Sequence, residues 1–272
     1  MQPIQQDPLR WLRSVCSYYR FEAGGVYQAA APNPNWPLQA HSPAELTKAL
    51  TSRGHLLPLP KEPAALANVI EVSISGFIAA AAAREKDSVV VRRGSERGYP
   101  DLEISGNLFG GAVYAVDVKV ARRAQGKRGT VLPRTQSRIT LYTGNTYFKW
   151  PKLHWPGTFR PFDDYTGHLD VVVLYTFDEM LHERVTDLEI LVHEPWRIAS
   201  KKRSSKTREY IGAVNSIEGL REGRGEFDNA AEFYRYWRAF PFETSASVSN
   251  ILQRLVQQQT SELDRLRSVV DN

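Results

Sequence analysis

Two short stretches decide the fold: Tyr99-Pro100-Asp101 and Ala115-Val116-Asp117-Val118-Lys119. Between them, Gly106-Asn107-Leu108-Phe109-Gly110-Gly111 has the glycines and asparagine of a chain reversal. Asp101 therefore opens one strand, the chain turns back, and Asp117 and Lys119 lie on the next. Side chains two residues apart share a face of a strand. Asp117 and Lys119 thus point one way, while Val116, Val118 and Val120 point the other way, into a core. An antiparallel hairpin returns Asp101 to the side of Asp117, so two carboxylates and an ammonium meet at one sheet end. Paired carboxylates repel unless a cation sits between them, and oxygen ligands of this kind suit Mg2+. A lysine beside such an ion can hold or activate a water, which makes a site for phosphodiester hydrolysis. The same residues would also serve as an ordinary solvated strand face after an ordinary Pro-Asp turn.

Composition leans toward the first reading. The 272 residues suffice for one large core or two smaller ones. With 42% hydrophobic and 24% charged residues, the chain has the make-up of a soluble globular protein. A formal charge of +5 and a pI of about 9.3 favour a polyanionic partner. The basic residues are concentrated in 122–138 and 201–208. Cys16, the single cysteine, lies among apolar and aromatic residues and reads as a buried thiol. The N-terminus lacks a charged-then-apolar leader, and no apolar run approaches a membrane span. A cytoplasmic protein with no membrane partner is expected.

Periodicity sketches the elements. Leu9, Trp11, Leu12, Val15, Tyr18 and Tyr19 predict a helix over 8–21. Residues 26–38 read as a short strand and a proline-stiffened loop, and Ser42-Pro43-Ala44-Glu45 as a capped helix start. Residues 64–85 form the longest helical candidate, and its alanines suit close packing on a sheet. Glu71 within it is either a surface glutamate or a carboxylate turned toward the metal site. Strands are expected at 88–91, at 139–148, as a buried strand at 169–175, and as a pair over 188–199 broken at Pro195. Residues 121–137, basic and poor in apolar side chains, read as a mobile loop. Asp228-Asn229 caps a helix through Phe240, with Glu232 placed for a capping box. Residues 249–270 form an amphipathic helix. Hairpin-linked strands without regular βαβ alternation predict a mixed α/β fold.

Other chemistries lack their motifs. His182-Glu183 and His193-Glu194 have no second histidine at zinc-protease spacing. The glycines from Gly219 to Gly225 lack the Gly-Lys-Ser/Thr ending of a nucleotide-binding loop, and no Gly-x-Ser-x-Gly elbow occurs. The run Lys201-Lys202-Arg203-Ser204-Ser205-Lys206-Thr207-Arg208 is either a solvated loop or a set of contacts to phosphates and guanine edges.

Taken together, the hairpin, the basic run and the C-terminal third resemble the EcoRV-type type II restriction endonucleases of the PD-(D/E)XK nuclease superfamily. The metal motif matches at the family's spacing. Arg160-Pro161-Phe162-Asp163-Asp164-Tyr165, Trp196-Arg197-Ile198-Ala199, Ile211-Gly212, Glu222-Gly223-Arg224-Gly225-Glu226-Phe227-Asp228 and Glu232-Phe233-Tyr234-Arg235-Tyr236-Trp237-Arg238 follow in the family's order. The resemblance covers roughly residues 71–240, with a weaker match near 26–38.

The resemblance implies an α/β, restriction-endonuclease-like core: a mixed central sheet flanked by helices. It implies one nuclease domain over 1–272, with a dimerisation subregion around 20–60 and a DNA-binding and catalytic region around 64–245. The implied activity is Mg2+-dependent, sequence-specific cleavage of duplex DNA at a short palindrome, to blunt ends, by a homodimer. Asp101 and Asp117 would be the Mg2+ ligands, Lys119 the catalytic lysine, and Glu71 an auxiliary carboxylate. Ser204, Ser205, Lys206, Thr207 and Arg208 would form the major-groove loop. Glu96 and Arg97 would approach the minor groove, and Thr146 and Lys149 would add DNA contacts. The loop Ser204-Ser205-Lys206-Thr207-Arg208-Glu209 has no glycine, where the family's loop is glycine- and asparagine-rich. A recognition sequence other than the EcoRV site is therefore expected, with Lys206 and Arg208 suited to guanine. About twenty residues between Leu38 and Glu71, and the helix beyond Ser247, have no counterpart in the resemblance. A non-catalytic DNA-binding protein, or a structure-specific repair nuclease of the same superfamily, would share most of these features.

Overall fold

The computed structural model describes residues 5–21, 42–45, 48, 63–86, 88–95, 98–178, 180–181 and 184–270. Helix α1 (Pro8–Ser17) starts where Asp7 caps it, accepting from Leu9 N–H at 3.1 Å, and it stops at Ser17 rather than reaching residue 21. Residues 43–45 and 48 are helical, and Ser42 Oγ accepts from Glu45 N–H at 3.1 Å, as a capping serine should. The rest of 20–60, including the strand and loop expected over 26–38, lies outside the described residues.

Helix α2 (Pro63–Arg84) buries Leu66, Ile70, Ile74, Ile78 and Ala82, a single i, i+4 row. Over Ala65–Arg84 it also has the length and hydropathy of a membrane span, contrary to the expectation that no apolar run approaches one. The buried row packs against the sheet, and about a third of the apolar stretch is buried in this way.

Strands β1 (Val90–Arg93), β2 (Leu102–Ser105) and β3 (Tyr114–Gln125) follow as antiparallel neighbours. The reversal between β2 and β3 depends on glycine. Gly106 has φ 126°, and a Cβ there would lie 2.3 Å from Ser88 O. Beyond a short 3-10 turn, β4 (Val131–Thr135) pairs with the far end of β3. Strand β5 (Thr140–Thr143) precedes β6 (Gly167–Phe177) and β7 (Val185–His193). β6 pairs parallel with β3 and antiparallel with β7, giving the mixed order β1-β2-β3-β6-β7. Strands β8 (Ala199–Arg203) and β9 (Tyr210–Ala213) join β5 in a three-stranded antiparallel sheet of order β5-β9-β8. Helices α3 (Ile217–Glu222), α4 (Ala230–Ala239) and α5 (Ala246–Val270) complete the chain. Asn229 Oδ1 accepts from Glu232 N–H at 2.9 Å, and Glu232 Oε2 accepts from Asp228 N–H at 2.9 Å, so α4 has its capping box.

The large sheet is covered on both faces, and this explains why ten of the eleven β6 residues are buried. One face carries Val116, Val118, Val171 and Val173 against α1 and α2. The other carries Ala115, Ala121, Val172 and Leu174 against the small sheet, α3 and α4, where Phe233 and Trp237 are fully buried. The architecture is the mixed α/β fold with a central mixed sheet flanked by helices.

Four expectations need correction. Residues 121–137 are not a mobile loop: β3 continues to Gln125 and β4 occupies Val131–Thr135. Arg123, 5% exposed, is buried because Glu189 Oε2 accepts from Nη2 at 2.7 Å, so its charge does not mark a solvated loop. Residues 139–148 are not one strand: β5 ends at Thr143, and Gly144–Phe148 forms a π turn. The ring of Phe242 packs on Gly144, where a Cβ would lie 2.0 Å from Cζ. The strands over 188–199 do not pair. Pro195–Arg197 is a 3-10 turn that carries the chain from the large sheet to the small one. The strand expected at 88–91 begins two residues later, at Val90.

Burial holds the His168 imidazole down to about 3, and burial with nearby Arg13 and Arg197 holds that of His193 down to about 4. Both are neutral in the folded chain, whereas histidines of the unfolded chain take up protons near pH 6.5. Their contribution to stability is therefore present above about pH 6.5 and is lost as the pH falls toward about 4. His193→Leu should flatten the dependence of unfolding free energy on pH between 6 and 4.5, by up to roughly 1.4 kcal/mol per pH unit. Urea denaturation across that range measures it; an unchanged slope would mean that His193 is protonated in the native state.

Candidate active site

Asp101 stands immediately before β2, and the register Leu102↔Val116 brings it beside Asp117 on β3. Its Oδ2 accepts from Val118 N–H at 2.6 Å, while Gly94 N–H donates to its carbonyl at 2.7 Å. The preceding residue anchors the turn. Tyr99 is buried among Tyr142, Tyr147, Phe162 and Tyr165, and its hydroxyl is 2.5 Å from His168 Nδ1. Lys119 Nζ lies 2.5 Å from Asp117 Oδ2. Val116 and Val118 fill the α2-side core from the opposite face, as the two-residue period requires.

The carboxylates crowd one another. Burial pushes Asp117 well above the usual carboxylate range; Lys119 pulls it back, and Asp101 and Asp170 raise it further. Burial would lower Lys119, but Asp117 and Asp101 overcome that and hold its ammonium protonated. Glu71, half-buried on α2, is raised by burial and by Asp101, against a pull from Lys119. Beyond burial, the charges of Asp101 and Asp170 add negative potential at Asp117, which a divalent cation would relieve. Oxygen donors from Asp101 and Asp117 therefore fit such an ion. Among the described residues, no three Asp, Glu, His or Cys side chains stand close enough to form a full cage. That is compatible with Mg2+, which keeps several waters and takes further oxygens from phosphates.

A cleft of about 700 Å³ opens at this point, with Glu71, Asp101, Lys119, Arg122, Arg138 and Thr140 in its walls. Glu71 thus faces the site rather than bulk solvent, and Asp117 lies behind Lys119, 4% exposed. A family model for restriction endonuclease EcoRV matches residues 33–261, most of the chain. The chain belongs to the EcoRV restriction endonuclease family. No curated protein matches it. The match continues to residue 261, so the part of α5 up to that residue falls within the family, contrary to the expectation for the helix beyond Ser247. Membership implies a nuclease with DNA as its substrate, and members of the EcoRV family are generally divalent-metal dependent.

The other expected site residues of this EcoRV-family chain divide into three groups. Ser204 to Arg208 lie between β8 and β9, and Ser204 Oγ meets Thr140 Oγ1 of the cleft wall at 2.7 Å. Ser205 Oγ accepts from the N–H groups of Thr207 and Arg208, each at 3.2 Å, and the exposed Arg208 donates to Tyr210 Oη at 3.1 Å. Thr146 and Lys149 are not brought to the cleft. Thr146 Oγ1 donates to Thr143 O at 3.0 Å, and Lys149 Nζ donates to Phe242 O at 2.9 Å and Thr244 Oγ1 at 2.8 Å. Arg97, with Glu96, lies outside the described residues.

Arg122, Arg138 and Asp170 escape identification from the sequence alone. Arg122 falls in the stretch that reads as a loop and Arg138 just beyond it, and only the fold shows that both border the cleft. Asp170 leaves a signal, since it interrupts an otherwise apolar strand. Arg138 is held in place: Nη1 donates to Ala213 O at 2.7 Å, and a Cβ on Gly212 would lie 2.4 Å from its Cδ and 2.8 Å from Lys202 O. Because the second contact is backbone, Gly212→Ala should destabilise the fold by roughly 1–3 kcal/mol. Chemical denaturation checks this, and Arg138→Ala should relieve only part of the loss, since the Lys202 carbonyl remains.

Proposed function

We propose that this chain is a Mg2+-dependent, sequence-specific type II restriction endonuclease. It hydrolyses duplex DNA at a short palindrome, acting as a homodimer and leaving blunt ends. The observation that carries the reading is the meeting of Asp101 and Lys119 beside Glu71 in a cleft that also holds Arg122 and Arg138, with Asp117 paired to Lys119 directly behind it. In this reading residues 1–272 form one nuclease domain, with catalysis and DNA binding in 64–245 and dimer contacts around 20–60.

Asp101 and Asp117 would hold the ion through their carboxylate oxygens. When bound, Mg2+ supplies Lewis-acid stabilisation of charge on the phosphate and lowers the cost of forming the attacking hydroxide. Lys119, protonated in this setting, acts as a cation: Nζ orients the attacking water and offsets negative charge that builds on the phosphate. Glu71 adds negative potential from α2. Arg122 and Arg138 take DNA backbone phosphates, while Lys206 and Arg208 reach guanine edges in the major groove.

Digestion of a long, fully sequenced, unmethylated DNA with Mg2+, followed by sequencing of the ends, tests the whole reading. Discrete fragments sharing one palindrome are expected, with none in EDTA or with Asp117→Ala. A smear would point to a structure-specific or non-specific nuclease, and retarded but intact DNA to a binding protein. Lys119→Ala should lower the cleavage rate roughly 10²–10⁴-fold with the fold intact; cleavage at the parental rate would remove Lys119 from the mechanism. Arg208→Ala should cost about 1–3 kcal/mol at one base pair of the site, whereas Arg138→Ala should weaken binding to all sequences and reduce the salt slope by about one. Binding measured across a salt series with single-base-pair variants of the site separates these two roles.

A further inference from the structure

Asp170 lies in mid-β6, in register with Asp117 on the parallel strand β3. Register partners of a parallel pair point to one face, so Asp170 is on the same side of the sheet as Asp117 and Lys119. It is 0% exposed, and neither of its carboxylate oxygens has a hydrogen-bond partner within the protein. Its strand neighbours Leu169, Val171, Val172, Val173 and Leu174 are apolar and buried. A buried carboxyl group with no partner works against folding. A purely structural aspartate would be expected to have a hydrogen-bonding partner, and an apolar residue would fill this place at less cost. Burial raises its carboxyl to about 7, Lys119 pulls it back and Asp101 raises it further, and Asp117 and Lys119 in turn feel its charge, so the groups it acts on are those of the cleft.

We propose that Asp170 is a positioning residue of the divalent-cation centre, a third negative charge set behind Asp117 that raises the affinity of the Asp101–Asp117 pair for the ion. The proposal rests on the reading of that pair as the cation site. Asp170 is not itself a ligand: its oxygens are sealed from solvent, and no three acids among the described residues are close enough for a cage. It acts through the electrostatic field, which is strong where water is excluded. The site's need for this charge then explains why a costly group is kept in an apolar strand.

The test uses the full chain without DNA, so that cleavage plays no part. Asp170→Asn and Asp170→Val are compared with the parent by calorimetric titration with Mg2+ and by melting in EDTA and in Mg2+. Both variants should melt no lower than the parent in EDTA. Both should bind Mg2+ about tenfold more weakly, and the rise in melting temperature that Mg2+ produces should shrink. Asp117→Asn is the reference. If it binds Mg2+ as the parent does, the cation site itself is misassigned. If it loses Mg2+ while both Asp170 variants bind like the parent, only the role of Asp170 fails. Lower melting of Asp170→Asn and Asp170→Val in EDTA, with parental Mg2+ affinity, would make Asp170 a structural residue.

Discussion

Asp117 is buried on a strand paired along both edges, with Lys119 Nζ 2.5 Å from its carboxylate. A buried ion pair of this kind returns less than its desolvation costs unless its packing is good and its remaining oxygens are satisfied. Here the surroundings add further negative charge from Asp101 and Asp170 and no second lysine or arginine acts on Asp117 among its principal influences. The site therefore draws stability from the rest of the fold. The two cores meet that demand differently. On the α2 side the i, i+4 row of α2 is set against the valines of β3 and β6, with Trp11, Tyr19 and Phe109 at its margin. On the other side the packing is richer in aromatic rings, with Tyr99, Tyr142, Phe162 and Tyr165 around His168, and this face also carries the buried Asp170.

The aromatic packing behind the cleft has a geometric consequence. Phe162 stacks on His168 at 3.9 Å, and His168 meets the hydroxyl of Tyr99. Tyr99 is two residues from Asp101, so the position of one carboxylate depends on a plug in the second core. The other carboxylate depends on the pairing of β3 with β6. Neither is carried by a free loop, and groups fixed on strands and locked by packing hold a reacting geometry better than groups on loops do.

Much of this was legible in the sequence because it rests on short-range rules. The two-residue period placed Asp117 and Lys119 together, the glycine turn returned Asp101, and the caps at Ser42 and Asn229 marked helix starts. The errors share a cause: a distant partner changed the meaning of a local signal. Arg122 and Arg123 read as solvated until Glu189, on β7, is seen to neutralise Arg123. Residues 139–148 read as one strand until Phe242, from after α4, is seen pressing on Gly144. The break at Pro195 was visible, but not that it changes sheets. Asp170 is the intermediate case. An aspartate in an apolar run is conspicuous in the sequence, but its register with Asp117 exists only in the fold.

The small sheet ties the cleft to the basic loop. Arg138 and Thr140 border the cleft at the start of β5, and β5 pairs with β9, which ends that loop. Ser204, which begins the loop after β8, bonds to Thr140, and Gly212 on β9 gives room to the stem of Arg138. One three-stranded sheet therefore carries both the basic loop proposed to read bases and part of the cleft wall. Packed elements move as units rather than bending smoothly. The loop at residues 204–208 is thus joined to the cleft wall directly, through the Ser204–Thr140 hydrogen bond and the β5–β9 pairing, within a single packed unit.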